Sequence, residues 1–175
     1  MKIGTDFSED AKEGPGSVFK LVGEVWKGEK MNDKEPNIII ISGSLFADDR
    51  PTSFPYGFSI KRFYQVTNVC RGFIRAFHGH RMESKCVWVS RGSILLYYIP
   101  IGEVDSIKHL KKCVLSAADP RMLYIPPGYY HGFKSLEEHT DVIFFSDKTT
   151  EESKGDDIRL SWDAFCEEIW RDDYR

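Results

Sequence analysis

The sequence predicts an all-β domain, an antiparallel sandwich or barrel closed by one C-terminal helix. Three observations carry this: short β-branched and aromatic runs, turn chemistry between them, and helical periodicity only at the end of the chain. The runs are 38–41, 58–66, 73–78, 85–89, 94–101, 121–125 and 141–145. Arg91-Gly92 falls between two of them and Pro126-Pro127-Gly128 follows another; glycine reaches backbone angles other residues avoid, and proline removes a ladder donor. Trp162, Phe165, Cys166, Ile169 and Trp170 recur at i, i+3, i+4, i+7 and i+8, which predicts an amphipathic helix over 162–170 packed on the β-domain. Residues 1–37 are polar around one apolar patch (Val18, Phe19, Leu21, Val22, Val25, Trp26) and read as an arm, with residues 38–175 as the domain.

A chain of 175 residues corresponds to one domain. With 24 basic and 27 acidic side chains, a net charge of -3 lacks the basic face a nucleic-acid binder needs. The longest apolar stretches, 38–41 and 94–99, are far short of the ~20 residues that span a bilayer, so no membrane partner is expected. The first residues, MKIGTDFSEDAKEG, lack the apolar core of a signal peptide. Cys70, Cys86, Cys113 and Cys166 form no CxxC pair and are expected as reduced, mostly buried thiols of a cytoplasmic protein.

Three of five histidines fall in two compact motifs, Gly72-x5-His78-x-His80-x4-Lys85-x6-Gly92 and Pro126-x-Gly128-x2-His131. On a strand, i and i+2 share a face, so His78 and His80 point to the same side of a sheet. The paired motifs resemble the two signatures of the cupin superfamily, jelly-roll barrels with a site in the mouth. Metal-binding cupins have a glutamate ligand where this chain has Lys85; an ammonium has no lone pair to give and repels a cation. No metal and no cofactor are therefore expected. A metal-dependent cupin oxygenase using His78, His80 and His131 stays as a rival, since three histidines suffice for some catalytic metals.

The segments LFADDR (45–50), GFIRAFHGH (72–80), LYIPPGYYHGF (123–133) and DDIRLSW (156–162) together resemble the dTDP-4-dehydrorhamnose 3,5-epimerase family of metal-free cupins. The stretch from Ile60 to Gly92, with I-K-R-x-Y, H-x-H and a glycine-serine turn, also resembles the dTDP-4-keto-6-deoxyhexose 3,4-ketoisomerases. Both act on nucleotide-linked 4-keto sugars. The resemblance implies enolisation beside the 4-keto group, with His78 as general base and Lys85 as partner of the enolate oxygen. It puts His80 and His131 in the same cavity, and a late aspartate, matched by Asp163 next to Trp162, behind the base. Asp163 is equally well explained as a first-turn carboxylate of the expected helix.

The same resemblance assigns Arg50 and Arg75 to the diphosphate, where guanidinium forks suit phosphate oxygens, and Gln65 and Asn68 to the nucleotide. Arg75 stands three residues before His78, so an ideal strand turns it to the opposite face unless a bulge intervenes. The family's opposite-face acid, a tyrosine thirteen residues after the second-motif histidine, is Phe144 here, leaving Tyr98 and Tyr130 as alternative donors by type. The function expected is epimerisation at C3 and/or C5 of an NDP-4-keto-6-deoxyhexose by a homodimer. 3,4-Ketoisomerisation and non-catalytic binding of a sugar nucleotide are the other readings.

Overall fold

The computed structural model describes residues 17–18, 29–30, 34–40 and 58–171. Strands β1 (Ser17–Val18) and β2 (Glu29–Lys30) pair with each other. The rest are β3 (Asn37–Ile40), β4 (Arg62–Asn68), β5 (Ile74–His80), β6 (Lys85–Arg91), β7 (Ser93–Pro100), β8 (Lys111–Ser116), β9 (Arg121–Ile125), β10 (Tyr129–Ser135), β11 (Thr140–Ser146) and β12 (Ile158–Arg159). They form two five-stranded antiparallel sheets, β12-β5-β10-β7-β8 and β3-β9-β6-β11-β4, as the alternating runs predict. Strands β8 and β10 lie outside those runs, because KKCVLS and YYHGFKS dilute their apolar positions with lysine, glycine and histidine. The run at 58–66 enters its sheet only at Arg62. Most of the arm at 1–37 lies outside the described residues.

The core sits between the sheets. Val87, Val89, Leu123, Ile125, Val142 and Phe144 of one sheet meet Ile94, Leu96, Leu115 and Phe133 of the other. Period two decides which residues those are: on β11, Val142 and Phe144 are buried and Ile143 and Phe145 turn outward. On the outer face of the first sheet, Phe77, Tyr97, Ile99 and Tyr130 are covered by Phe165 and Trp170.

That cover is not the helix the apolar stripe predicts. Residues 162–165 are turns and only Glu167–Trp170 closes a 3-10 turn. Cys166 has φ +81°, outside anything an α-helix accepts. The segment's carbonyls are taken by side chains instead: Tyr97 OH donates to Ile169 O at 2.7 Å, Lys134 Nζ donates to Trp170 O, and Trp170 Nε1 donates to Trp162 O at 2.9 Å. Phe165 and Trp170 reach the core, whereas Trp162 and Cys166 stay exposed. Cys70 is exposed as well and Cys113 is half-buried, so only Cys86 of the four thiols is buried, against the expectation.

One irregularity bears on the site. β5 pairs with β10 as His80↔Tyr129 and His78↔His131, and then the register shifts so that Arg75 faces Phe133. Three residues on β5 span what two span on β10, which reverses the parity of Arg75 and turns it to the face of His78. The close approach needs Gly132, where a Cβ would lie 2.3 Å from Ala76 Cβ and 2.8 Å from Ala76 Cα. Gly132→Ala is therefore expected to cost about 1–3 kcal/mol of stability, read as a lower thermal unfolding midpoint. An unchanged midpoint would show that the two strands can separate without penalty.

Candidate active site

A cavity of about 400 Å³ opens between the two sheets. The first sheet supplies Arg75, His78, His80 and His131 to it, and the second supplies Arg62, Tyr64, Lys85 and Phe144. The short strand β12 adds Arg159, with Asp157 just before it, and Glu83 comes from the loop between β5 and β6. Alternation along β5 puts His78 and His80 on the inward face. Antiparallel pairing sets His131 directly opposite His78, with ring centroids 6.4 Å apart and the His80 ring 6.0 Å from His131.

His78 Nδ1 lies 3.5 Å from Asp157 Oδ1, a polar contact that is long for a hydrogen bond. Asp157 Oδ2 in turn accepts from Arg159 Nε at 3.1 Å and Nη2 at 2.8 Å. Burial is the main cause that holds His78 below the ordinary imidazole range; the Arg159 charge adds to it and Asp157 opposes it. Its imidazole is therefore neutral at pH 7. With Nδ1–H turned to Asp157, Nε2 is the basic nitrogen.

His80 Nδ1–H donates to Asp156 O at 3.0 Å and stands 3.2 Å from Glu83 Oε2. Burial and the nearby Lys85 charge lower its pKa against the pull of Glu83 and Asp156. His131 is more strongly depressed, by full burial and by Lys85, His80 and His78, and its Nδ1 has no hydrogen-bond partner among the described residues. All three rings are neutral near pH 7, and lying side by side favours that form.

Lys85 is 3% exposed and Glu83 2%, and side chains buried this far need polar partners. Glu83 Oε1 lies 3.3 Å from Lys85 Nζ, takes a 2.6 Å bond from Arg62 Nη2 and accepts from Ser146 Oγ. Burial pushes the Glu83 carboxyl up, but the Ser146 bond and the charges of Lys85, His80 and Arg62 outweigh it and hold it low. A second donor of Lys85 Nζ reaches Tyr64 OH at 3.2 Å. The third ammonium hydrogen has no partner among the described residues and faces the cavity.

His80, Glu83 and Asp156 bring three possible ligand atoms close together, yet they do not fit a metal. Asp156 Oδ1 accepts from Arg81 N at 2.8 Å, and Oδ2 accepts from Met82 N at 3.0 Å and Glu83 N at 3.1 Å. Its carboxylate thus ties down the loop after β5, Glu83 Oε1 is committed to Arg62, Ser146 and Lys85 while Oε2 faces the His80 ring, and the Lys85 charge repels a cation.

Of the residues singled out from sequence, His78, His80, Lys85, His131 and Arg75 line one cavity. Asp163 is not brought to it: exposed, it pairs with the Ser161 hydroxyl, and Asp157 stands beside His78 instead. Gln65 lies on the outward face of β4 and donates to Thr67 Oγ1 at 3.3 Å. Asn68 is buried at the end of β4, where its Oδ1 accepts from Arg75 Nε at 3.0 Å, so it holds the arginine. Tyr130 packs outward with Phe77 and Trp170, and Tyr98 lines a separate cavity of about 320 Å³ with Lys108, Lys111 and Tyr129. Arg50 lies outside the described residues. Sequence reasoning missed Asp157, Glu83, Arg62, Tyr64 and Arg159. The I-K-R-x-Y spacing carried a signal for Arg62 and Tyr64, which alternate on one face of β4, and DDIRLSW carried one for Asp157. Glu83 sits in a loop with no periodicity to mark it.

Comparison with known proteins gives the family and the fold. The family described as dTDP-4-dehydrorhamnose 3,5-epimerase matches residues 37–169. Among solved structures, the rmlC epimerase of Mycobacterium tuberculosis aligns at 18% identity and TM-score 0.53, covering 61% of this chain and 54% of that one. The dTDP-4-dehydrorhamnose 3,5-epimerase of Bacillus anthracis str. Ames, with TDP and PPi bound, aligns at 24% identity and TM-score 0.53, covering 73% and 77%. A TDP-quinovose 3,4-ketoisomerase from Campylobacter jejuni aligns at 20% identity and TM-score 0.50, covering 59% and 73%. These likenesses show the cupin fold, and the chain spans about half the length of the M. tuberculosis enzyme. No curated protein sequence matches. Among the described residues, no helix is long and apolar enough to cross a membrane.

Proposed function

Because the chain belongs to the dTDP-4-dehydrorhamnose 3,5-epimerase family, a family of isomerases, we propose that it epimerises C3 and/or C5 of a nucleotide-linked 4-keto-6-deoxyhexose by enolisation. The observation that carries this reading is the His78–Asp157 pair on one wall of a cavity whose other wall presents Lys85. A 4-keto group acidifies the neighbouring C–H bonds. His78 Nε2, neutral through burial, takes the proton, while Asp157 holds the ring by Nδ1 and stabilises the imidazolium that forms. The electron pair moves to the keto oxygen, which the free Lys85 N–H meets as charge develops. Arg75, held by Asn68, and Arg62 supply guanidinium groups to the diphosphate. The reading includes a homodimer to which Arg50 contributes, and no cofactor.

A second reading rests on His80. Its Nδ1–H is committed to Asp156 O, leaving a second basic Nε2 in the cavity beside His78, which suits carriage of a proton between C3 and C4. The product decides between the two. Proton NMR of dTDP-, GDP- and CDP-4-keto-6-deoxyhexoses incubated with the protein is expected to show a 4-keto epimer with altered ring couplings. A 3-keto product would establish ketoisomerisation, and unchanged sugar across all three nucleotides would defeat both readings.

A further inference from the structure

We infer that Tyr64 donates the proton that completes inversion, on the face of the substrate carbon opposite His78. The inference rests on the enolisation reading above. Inversion needs two proton carriers facing each other across the sugar, and His78 occupies only the first sheet. On the second sheet, the position that the family resemblance gives to a tyrosine is Phe144, whose ring has no proton to give.

The ladder puts a phenol next to that position. Phe144 pairs with Tyr64 across β11 and β4, so the two side chains share the inward face one strand apart. Their rings stack with centroids 5.1 Å apart and planes 10° from parallel. Arg62 and Lys85 lie 5.8 Å and 5.2 Å from the Tyr64 ring centroid, so the ring is bounded by Phe144 and two cations. The Tyr64 oxygen is 3.2 Å from Lys85 Nζ. An ammonium only donates, so that oxygen accepts, and the phenol's own hydrogen is left to point into the cavity. The phenol thus sits beside the group that meets the enolate oxygen, and that oxygen is two bonds from the carbon to be protonated. Tyr130 faces outward and Tyr98 lines the other cavity, so neither can take the role.

The proton balance closes. The C–H bond breaks toward His78 Nε2 and its electron pair forms the enolate. The Tyr64 O–H bond breaks as a new C–H bond forms on the opposite face. The phenolate regains a proton from the Lys85 ammonium or from water, and His78 releases its proton to water. No oxidant or reductant is involved.

The test is Tyr64→Phe with a dTDP-4-keto-6-deoxyhexose in D2O, following by NMR both deuterium in recovered substrate and formation of epimer. His78 alone can remove and return a proton on one face. The variant is therefore expected to keep wash-in close to the wild-type rate while inversion falls about 10²–10⁴-fold, the range of a lost general acid. Tyr64→Phe combined with Phe144→Tyr is expected to regain inversion. Undiminished inversion in Tyr64→Phe would overturn the inference, and so would equal loss of wash-in and inversion in the folded variant. A wild-type protein that washes in deuterium but yields only a 3-keto isomer would also overturn it. No wash-in by the wild type would instead sink the enolisation reading, and the inference with it.

Discussion

Lys85→Met is expected to lower kcat/KM about 10²–10³-fold, the loss typical of removing one donor from a developing oxyanion. Methionine keeps the length of the side chain and removes every donor. The Lys85 ammonium divides its hydrogens between Glu83, Tyr64 and the cavity, so its loss acts on the enolate oxygen and on the group beside it. The fold is expected to survive because Glu83, the buried carboxylate left behind, keeps Arg62 at 2.6 Å and the Ser146 hydroxyl. A melting curve recorded with the kinetics separates the effects. A variant that melts like wild type and turns over at the wild-type rate would remove Lys85 from the mechanism.

Asp157→Asn is expected to lower kcat/KM by about 10²–10⁴-fold and also to move its pH dependence. The base must be neutral, so activity rises with pH through the His78 pKa, which lies below the ordinary ~6.5 of imidazole. Burial and Arg159 push that pKa down while Asp157 pulls it up. Removing the Asp157 charge therefore moves the acid limb to lower pH, and Arg159→Gln moves it to higher pH. Opposite displacements in two variants of adjacent ion-pair partners are hard to obtain from a purely structural effect. Profiles of kcat/KM against pH for both proteins provide the check, and a limb that stays in place in both would show that another group titrates.

The two-sheet fold was legible because its core positions follow the pleat: Val87 and Val89, Ile94 and Leu96, and Val142 and Phe144 each recur at i and i+2. The terminal helix was misread because Trp162, Phe165, Cys166, Ile169 and Trp170 match a helical spacing that records only which residues are apolar. Phe165 and Trp170 find the core through turns, with the intervening Cys166 in a left-handed conformation. Within the site, His78 and His80 were legible from strand parity, whereas Arg75 needed a bulge set by Gly132 on a different strand. Asp157 and Glu83 reach the cavity from loops, where no period relates sequence position to direction. The choice of Asp163 over Asp157 followed adjacency to Trp162. Pairing of β12 with β5 is what actually brings an aspartate beside His78.

The central claim is that His78 enolises a 4-keto sugar, and the most direct measurement is deuterium incorporation from D2O at C3 or C5 of a dTDP-4-keto-6-deoxyhexose, comparing wild type with His78→Asn. Incorporation by the wild type that disappears in a folded His78→Asn protein is the predicted result. Incorporation that continues undiminished without His78 would contradict it.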